Sequence, residues 1–271
     1  VDEMYDGPFA IVTATDPVND GNLAYMLIEK NSVDKKDIKR FFNELKQLGI
    51  DPKTVITDES KLYPEPLKEI WEKAKHQLCR FHFTSNVTKV VLKGVTRYRK
   101  KLPKKRRRRR GRPSKRGRPR KKEPVWRTVI RNNRFLFVKR RENMTQKDIE
   151  KLAEITVAHP ELATIRDFMD AYYDIFPNDA QITPRQARYR RTKILNNERF
   201  RECPYLEDAL ALLEDKTRFD KLITFLVTSS GESTSNDAER TNRDYRKRQK
   251  SHYRLRTPRS MQAMLHRQLF K

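Results

Sequence analysis

A chain of 271 residues is long enough for one or two domains with a real hydrophobic core, which excludes a peptide or a disulfide-stapled miniprotein. Apolar residues make up 36% of it, and 62 Lys and Arg against 36 Asp and Glu leave a formal net charge of +26. The implied partner is a polyanion, and no apolar run approaches the ~18 residues of a transmembrane helix.

In chain order, residues 1–5 read as the end of a strand and Asp6-Gly7-Pro8 as a turn before residues 9–14, which are rich in strand formers. Asp20-Gly21-Asn22 marks a second turn, and residues 23–28 a third strand. Ile38, Phe41, Phe42, Leu45 and Leu48 recur at helical spacing up to Gly49. Residues 53–57 read as a short buried strand, Leu67, Ile70 and Trp71 as a helix, and residues 76–78 as another strand with a helix after it. The pattern is α/β, in the order β-β-β-α-β-α-β-α.

Eighteen of the Lys and Arg residues then fall between positions 97 and 122, with no Asp or Glu among them. Such a segment cannot offset its ordering entropy by burial, so residues 93–124 are expected to form a basic, disordered tether. Arg110-Gly111-Arg112-Pro113 returns as Arg116-Gly117-Arg118-Pro119, a repeat that resembles the AT-hook, whose arginines favour narrow A·T minor grooves. A plain polybasic segment is the alternative. Residues 125–141 are ambiguous, with an extended stretch expected around Phe135, Phe137 and Val138. Residues 145–226 read as helical, with stripes such as Ile165, Phe168, Met169 and Tyr172 forming core.

Several residues could carry chemistry, and each also has a structural reading. Asp58 stands at the carboxyl end of a buried strand, where open α/β sheets place ligands, and Asp2 lies on a strand the topology would make its neighbour. Asp58 is equally suited to cap the next helix, and Asp2 to be a terminal turn residue. Asn236 and Glu239 have capping-box spacing, and Glu239 and Arg243 an i,i+4 pair. His76-x-x-Cys79-x-x-His82 suggests zinc, but His159, Cys203, His252 and His266 are scattered and supply no second ligand pair at finger spacing.

Together these segments resemble the DDE transposases of the ribonuclease H-like superfamily, especially mutator-like elements and related bacterial insertion-sequence transposases. The matching pieces are Val1-Asp2-Glu3, Val55-Ile56-Thr57-Asp58, Cys79-x-x-His82-x-x-x-Asn86 and Asn236-x-x-Glu239-x-x-Asn242. The resemblance implies a ribonuclease H-like mixed sheet interrupted by a mostly helical insertion, with core at residues 1–92 and 230–271 and insertion at 125–229. It implies metal-dependent cleavage and strand transfer at transposon ends, with Asp2, Asp58 and Glu239 holding two Mg²⁺ or Mn²⁺ ions. Cys79, His82, Asn86, Asn236 and Asn242 would serve as structural or DNA-positioning residues. Arg240, Arg243, Arg246 and Arg248 would bind DNA beside the site, and Arg110, Arg112, Arg116 and Arg118 along the tether. The implied partners are transposon-end and target DNA and further copies of the chain, with no membrane.

Two departures accompany the likeness. The tether lies outside the family pattern, and the chain begins at the first acid. A start at Val1 without a charged-then-apolar leader reads as a fragment or processed product, leaving room for a DNA-binding domain ahead of it. Two cysteines, Cys79 and Cys203, fit a reducing compartment, so an intracellular location with DNA is expected. The competing functions are a domesticated, noncatalytic DNA-binding protein and a ribonuclease H-like nuclease without strand transfer.

Overall fold

The computed structural model describes residues 1–16, 21–103, 125–177, 182–228, 233–251 and 257–269. Three antiparallel strands come first, β1 (Asp2–Asp6), β2 (Phe9–Asp16) and β3 (Gly21–Ile28), with β2 in the centre. Asp6 pairs with Phe9 across the two-residue turn Gly7-Pro8, and Gly7 takes φ +60°, the left-handed backbone that tight hairpins favour at their first central position. Residues 9–14 are all buried, because β2 is covered on both faces and so reads as a continuous apolar run. Ala10, Val12 and Ala14 join a core with Phe41, Phe42, Tyr63 and Trp71. Ile11 instead packs with Met4, Tyr245, Met261 and Leu265.

Helix α1 (Lys35–Gln47) starts at Asp34, whose carboxylate accepts from the amides of Lys36 and Asp37 while Asp37 bonds back to the Asp34 amide. It stops at Gly49, φ +82°, where the amide of Ile50 donates to Leu45 O at 3.1 Å and that of Gly49 to Lys46 O at 3.0 Å. Next come β4 (Thr54–Thr57), α2 (Pro64–Ile70) and β5 (Lys75–Leu78). β4 and β5 form a separate parallel pair, Thr54 opposite Lys75 and Thr57 opposite Leu78. The ladders therefore make two sheets where the sequence suggested one. The α-amino group of Val1 donates to Ile56 O at 2.8 Å, and one bond is not a ladder.

Helix α3 (Arg80–Lys101) buries Phe83, Val87, Val91, Val95 and Tyr98 in one stripe. Residues 93–101, assigned by composition to the tether, are its last turns, since burial of Val95 and Tyr98 holds the helix there. The rest of the basic segment, with Arg110, Arg112, Arg116 and Arg118, lies outside the described residues. The stretch expected to be extended near Phe135 is instead α4 (Trp126–Asn132), which buries Ile130, followed by a 3-10 turn at Arg134–Phe137, which buries Leu136 and Phe137. Then follow α5 (Gln146–Ala158), α6 (Pro160–Ile175), α7 (Pro184–Leu195), α8 (Glu198–Arg201), α9 (Glu207–Glu214), α10 (Lys216–Leu222), a 3-10 turn at Thr224–Val227, α11 (Asn236–Ser251) and α12 (Pro258–Leu269).

The chain divides into two compact units, residues 1–84 with 216–271, and residues 85–215. In the first, buried Gln77 donates through Nε2 to Leu222 O at 2.9 Å and accepts the Phe225 amide at 2.7 Å, tying β5 to the end of α10 and the following turn. The second unit is helical. Its buried Arg166 donates to Leu136 O at 3.0 Å and Lys139 O at 2.6 Å and pairs with Asp170, so this interior charge is satisfied. No described helix is long and apolar enough to cross a membrane.

Candidate active site

Strand alternation sends Asp2 and Met4 to the face of β1 that packs on α11. Asn242, 5% exposed, donates through Nδ2 to Asp2 Oδ2 at 2.8 Å and accepts from Thr13 Oγ1 at 2.9 Å. Thr13 is the register partner of Asp2 on β2, so one amide fixes α11 to two strands. Glu239 and Asn236 lie at successive steps of three toward the start of α11, on the side from which Asn242 reaches Asp2. Together they line a cleft of about 510 Å³ with Asp2, Glu3, Arg240, Arg243 and Arg246.

Cys79 docks the chain that leads into α11. Its amide donates to Thr57 O at 2.7 Å, its buried Sγ accepts the Ser235 amide at 3.4 Å, and the neighbouring Arg80 amide donates to Ser233 O at 2.8 Å. Burial pushes the Cys79 thiol up, but its bonds with His82 and Ser235 outweigh burial and hold it below the usual thiol value. The bond with Cys79 raises His82 to about 9 against the effect of burial, with Glu239 and Asp2 adding to the rise. His82 is thus an imidazolium at neutral pH, with Nε2 3.4 Å from Glu239 Oε1. That approach is an ion pair without hydrogen-bond geometry, and Glu239 Oε1 is buried with no hydrogen-bond partner. Glu239 therefore pairs with His82, where helical spacing suggested Arg243.

Asp58 directly follows β4 and accepts the Ser60 amide on Oδ1 at 2.8 Å. Burial pushes it above the ordinary carboxyl value, opposed by the Ser60 amide and His82 and reinforced by Asp2 and Glu59. Burial likewise raises Glu239, with His82 opposing and Asp2 adding to the rise. The three acids thus share one electrostatic neighbourhood around His82. Glu3, which the motifs did not single out, belongs to it too. Tyr63 donates to its Oε2, and burial followed by the charges of Asp58 and Asp2 pushes Glu3 up to about 8.

Among the described residues, Cys79, His82 and Glu239 bring one donor atom each within 4.8 Å of one another. His76 is not in the group. Its Nε2 lies 2.9 Å from Thr57 Oγ1, and burial lowers it to about 4, so the His-Cys-His spacing does not assemble. The carboxylates suit a hard divalent cation, which takes oxygen ligands and relieves repulsion between desolvated acids. Glu239 Oε1, buried without a hydrogen bond, fits that role. Asn86 falls in the second unit, half-buried on α3, and Arg248 is half-buried on α11 beyond the cleft-lining residues.

A family model, DDE_Tnp_ISL3, described as a transposase, matches residues 9–263. The span includes Asp58, Cys79, His82 and Glu239, and Asp2 precedes it. No curated protein and no solved structure matches. A transposase works on DNA and uses divalent metal ions in general. With the match covering nearly its whole length, the chain belongs to the DDE_Tnp_ISL3 family of transposases.

Proposed function

We propose that this chain carries the catalytic centre of a DNA transposase that cleaves transposon ends and joins them to target DNA, with Asp2, Asp58 and Glu239 as the metal-holding acids. The carrying observation is that Asn242, on the helix bearing Glu239, bonds Asp2 across 240 residues of sequence, while Asp58 feels the charge of Asp2. A ribonuclease H-like arrangement with β1 beside β4 is supported by the bond from Val1 to Ile56. In this reading residues 85–215 are the insertion.

Two Mg²⁺ or Mn²⁺ ions held by these acids would stabilise the attacking and leaving oxygens of an in-line phosphodiester displacement. The chain's own residues prepare that chemistry. Asn242 orients the Asp2 carboxylate, Cys79 fixes the lead into α11 and hence Glu239, and His82 supplies a local positive charge beside Glu239. Arg240, Arg243 and Arg246 line the cleft and bind the phosphates of entering DNA. Hydrolysis at the transposon end releases a 3′-hydroxyl, which then attacks a target phosphodiester. The active complex holds more than one copy of the chain and acts on DNA inside the cell.

The test is to incubate the full-length protein with Mg²⁺ and DNA carrying the element's terminal repeats, and to resolve cleaved ends from joined products. Cleavage with joining supports the transposase reading. Cleavage alone marks a nuclease without strand transfer, and binding without cleavage a noncatalytic descendant.

A further inference from the structure

The second unit contains a cationic helix that the catalytic reading does not use. α7 has five Lys or Arg among its 12 residues and no Asp or Glu. Two of these hold the fold: Arg190 donates to Asp174 O, and Arg191 to Leu213 O at 2.5 Å and Glu214 O at 2.6 Å. The helix buries little beyond Ala187 and Ile194. Arg185, Arg188, Tyr189 and Lys193 are exposed, and their spacings of three and four residues gather them on one face.

Tyr189 is 68% exposed, so most of its ring contributes no packing to the fold. Arg185 and Lys193 make no ion pair among the described residues, while on α6 Asp167 pairs with Arg199 at 3.2 Å, and Asp170 with Arg141 at 2.6 Å and with Arg166. Arg185 and Lys193 therefore keep their positive charge on this face. From Arg185 to Lys193 it extends about 12 Å along the helix axis.

We propose that this face of α7 binds the phosphate backbone of duplex DNA, with Arg185 and Lys193 neutralising phosphates and the Tyr189 hydroxyl donating to a backbone oxygen. The assignment rests on the transposase reading for the identity of the polyanion, and it places a DNA-binding face in the unit that lacks the acids. Bonds to phosphate position a protein without reading bases, so this face adds affinity and not sequence preference.

The experiment compares full-length wild type with Arg185→Gln/Lys193→Gln and with Tyr189→Phe, by fluorescence anisotropy on labelled duplexes over a range of salt. Melting temperatures should match, since the altered side chains are exposed. The double variant should lose about 1.8 from the slope of log affinity against log salt, about 0.9 for each phosphate left unneutralised. The loss should be the same on A·T-rich and G·C-rich duplexes. Tyr189→Phe should weaken binding without changing the slope. An unchanged slope in the double variant overturns the α7 assignment and leaves the transposase reading standing, because end cleavage is measured separately. A larger loss on single-stranded than on duplex DNA also overturns it, and a wild-type chain that binds no duplex overturns both.

Discussion

Asn242 shows how much one buried amide can decide. It donates to Asp2 and accepts from Thr13, so Asn242→Ala frees the Asp2 carboxylate to turn and leaves a buried hydroxyl without its acceptor. A partner that orients a metal ligand is worth ~10- to 100-fold in activity or metal affinity, and end cleavage by the variant should fall in that range with DNA affinity little changed. Glu3 makes a pH prediction. It holds its proton to about 8 in the folded, metal-free protein and releases it near 4.5 when unfolded. Between those values the folded state binds more protons, so this group makes stability fall as pH rises through the window. Glu3→Gln keeps an acceptor for Tyr63 and removes the titration, so its urea midpoint should vary less with pH between about 4.5 and 8 than that of wild type. Identical pH profiles would show that Glu3 does not titrate there. Asp58, Glu239 and Cys79-x-x-His82 were legible as candidates from type and spacing. The engagement of Glu3 by Tyr63 and of Thr13 by Asn242 was not, because each joins a strand residue to a residue far along the chain, and no linear spacing encodes that.

At the scale of elements, short runs of strand formers between turn residues marked all five strands and helical stripes most of the helices, because burial of one face imposes the helical period. Residues 125–141 were ambiguous because Phe135, Phe137 and Val138 look like strand formers, while burial there falls on Ile130 of α4 and on Leu136 and Phe137 of a separate 3-10 turn. Composition also cut α3 short, since its last turns are basic outside and apolar only at Val95 and Tyr98. Gly94 gives the sharpest local test. A Cβ there would lie 2.2 Å from the carbonyl oxygen of Tyr205, and backbone cannot retreat as a flexible side chain can. Gly94→Ala should raise helix propensity yet destabilise the protein by about 1 to 3 kcal/mol, as overpacking does, read as a lower urea midpoint. A midpoint at or above that of wild type would mean that the close approach does not form.

Across the whole molecule, the charge and the family match concern different parts of the same task. The basic run at 106–110 and its flanking repeats should govern affinity for DNA. Replacing Arg106, Arg107, Arg108, Arg109 and Arg110 with Gln should flatten the salt dependence of binding, by ~0.9 for each phosphate no longer neutralised, without reordering the sequences bound. Arg112→Ala with Arg118→Ala should lower the preference for A·T over G·C duplexes, because arginine in a narrow minor groove reads its width and potential. An unchanged preference would leave only a polybasic role. The acids should behave in the opposite way, contributing to chemistry and little to affinity. The most direct measurement is the rate of Mg²⁺-dependent end cleavage by Asp2→Asn, Asp58→Asn and Glu239→Gln, with DNA affinity determined on the same preparations. Each substitution should lower the rate by ~100-fold or more, beyond what removal of a ligand's orienting partner costs, while DNA still binds. Near-normal cleavage by any one of the three would contradict a shared three-acid metal site.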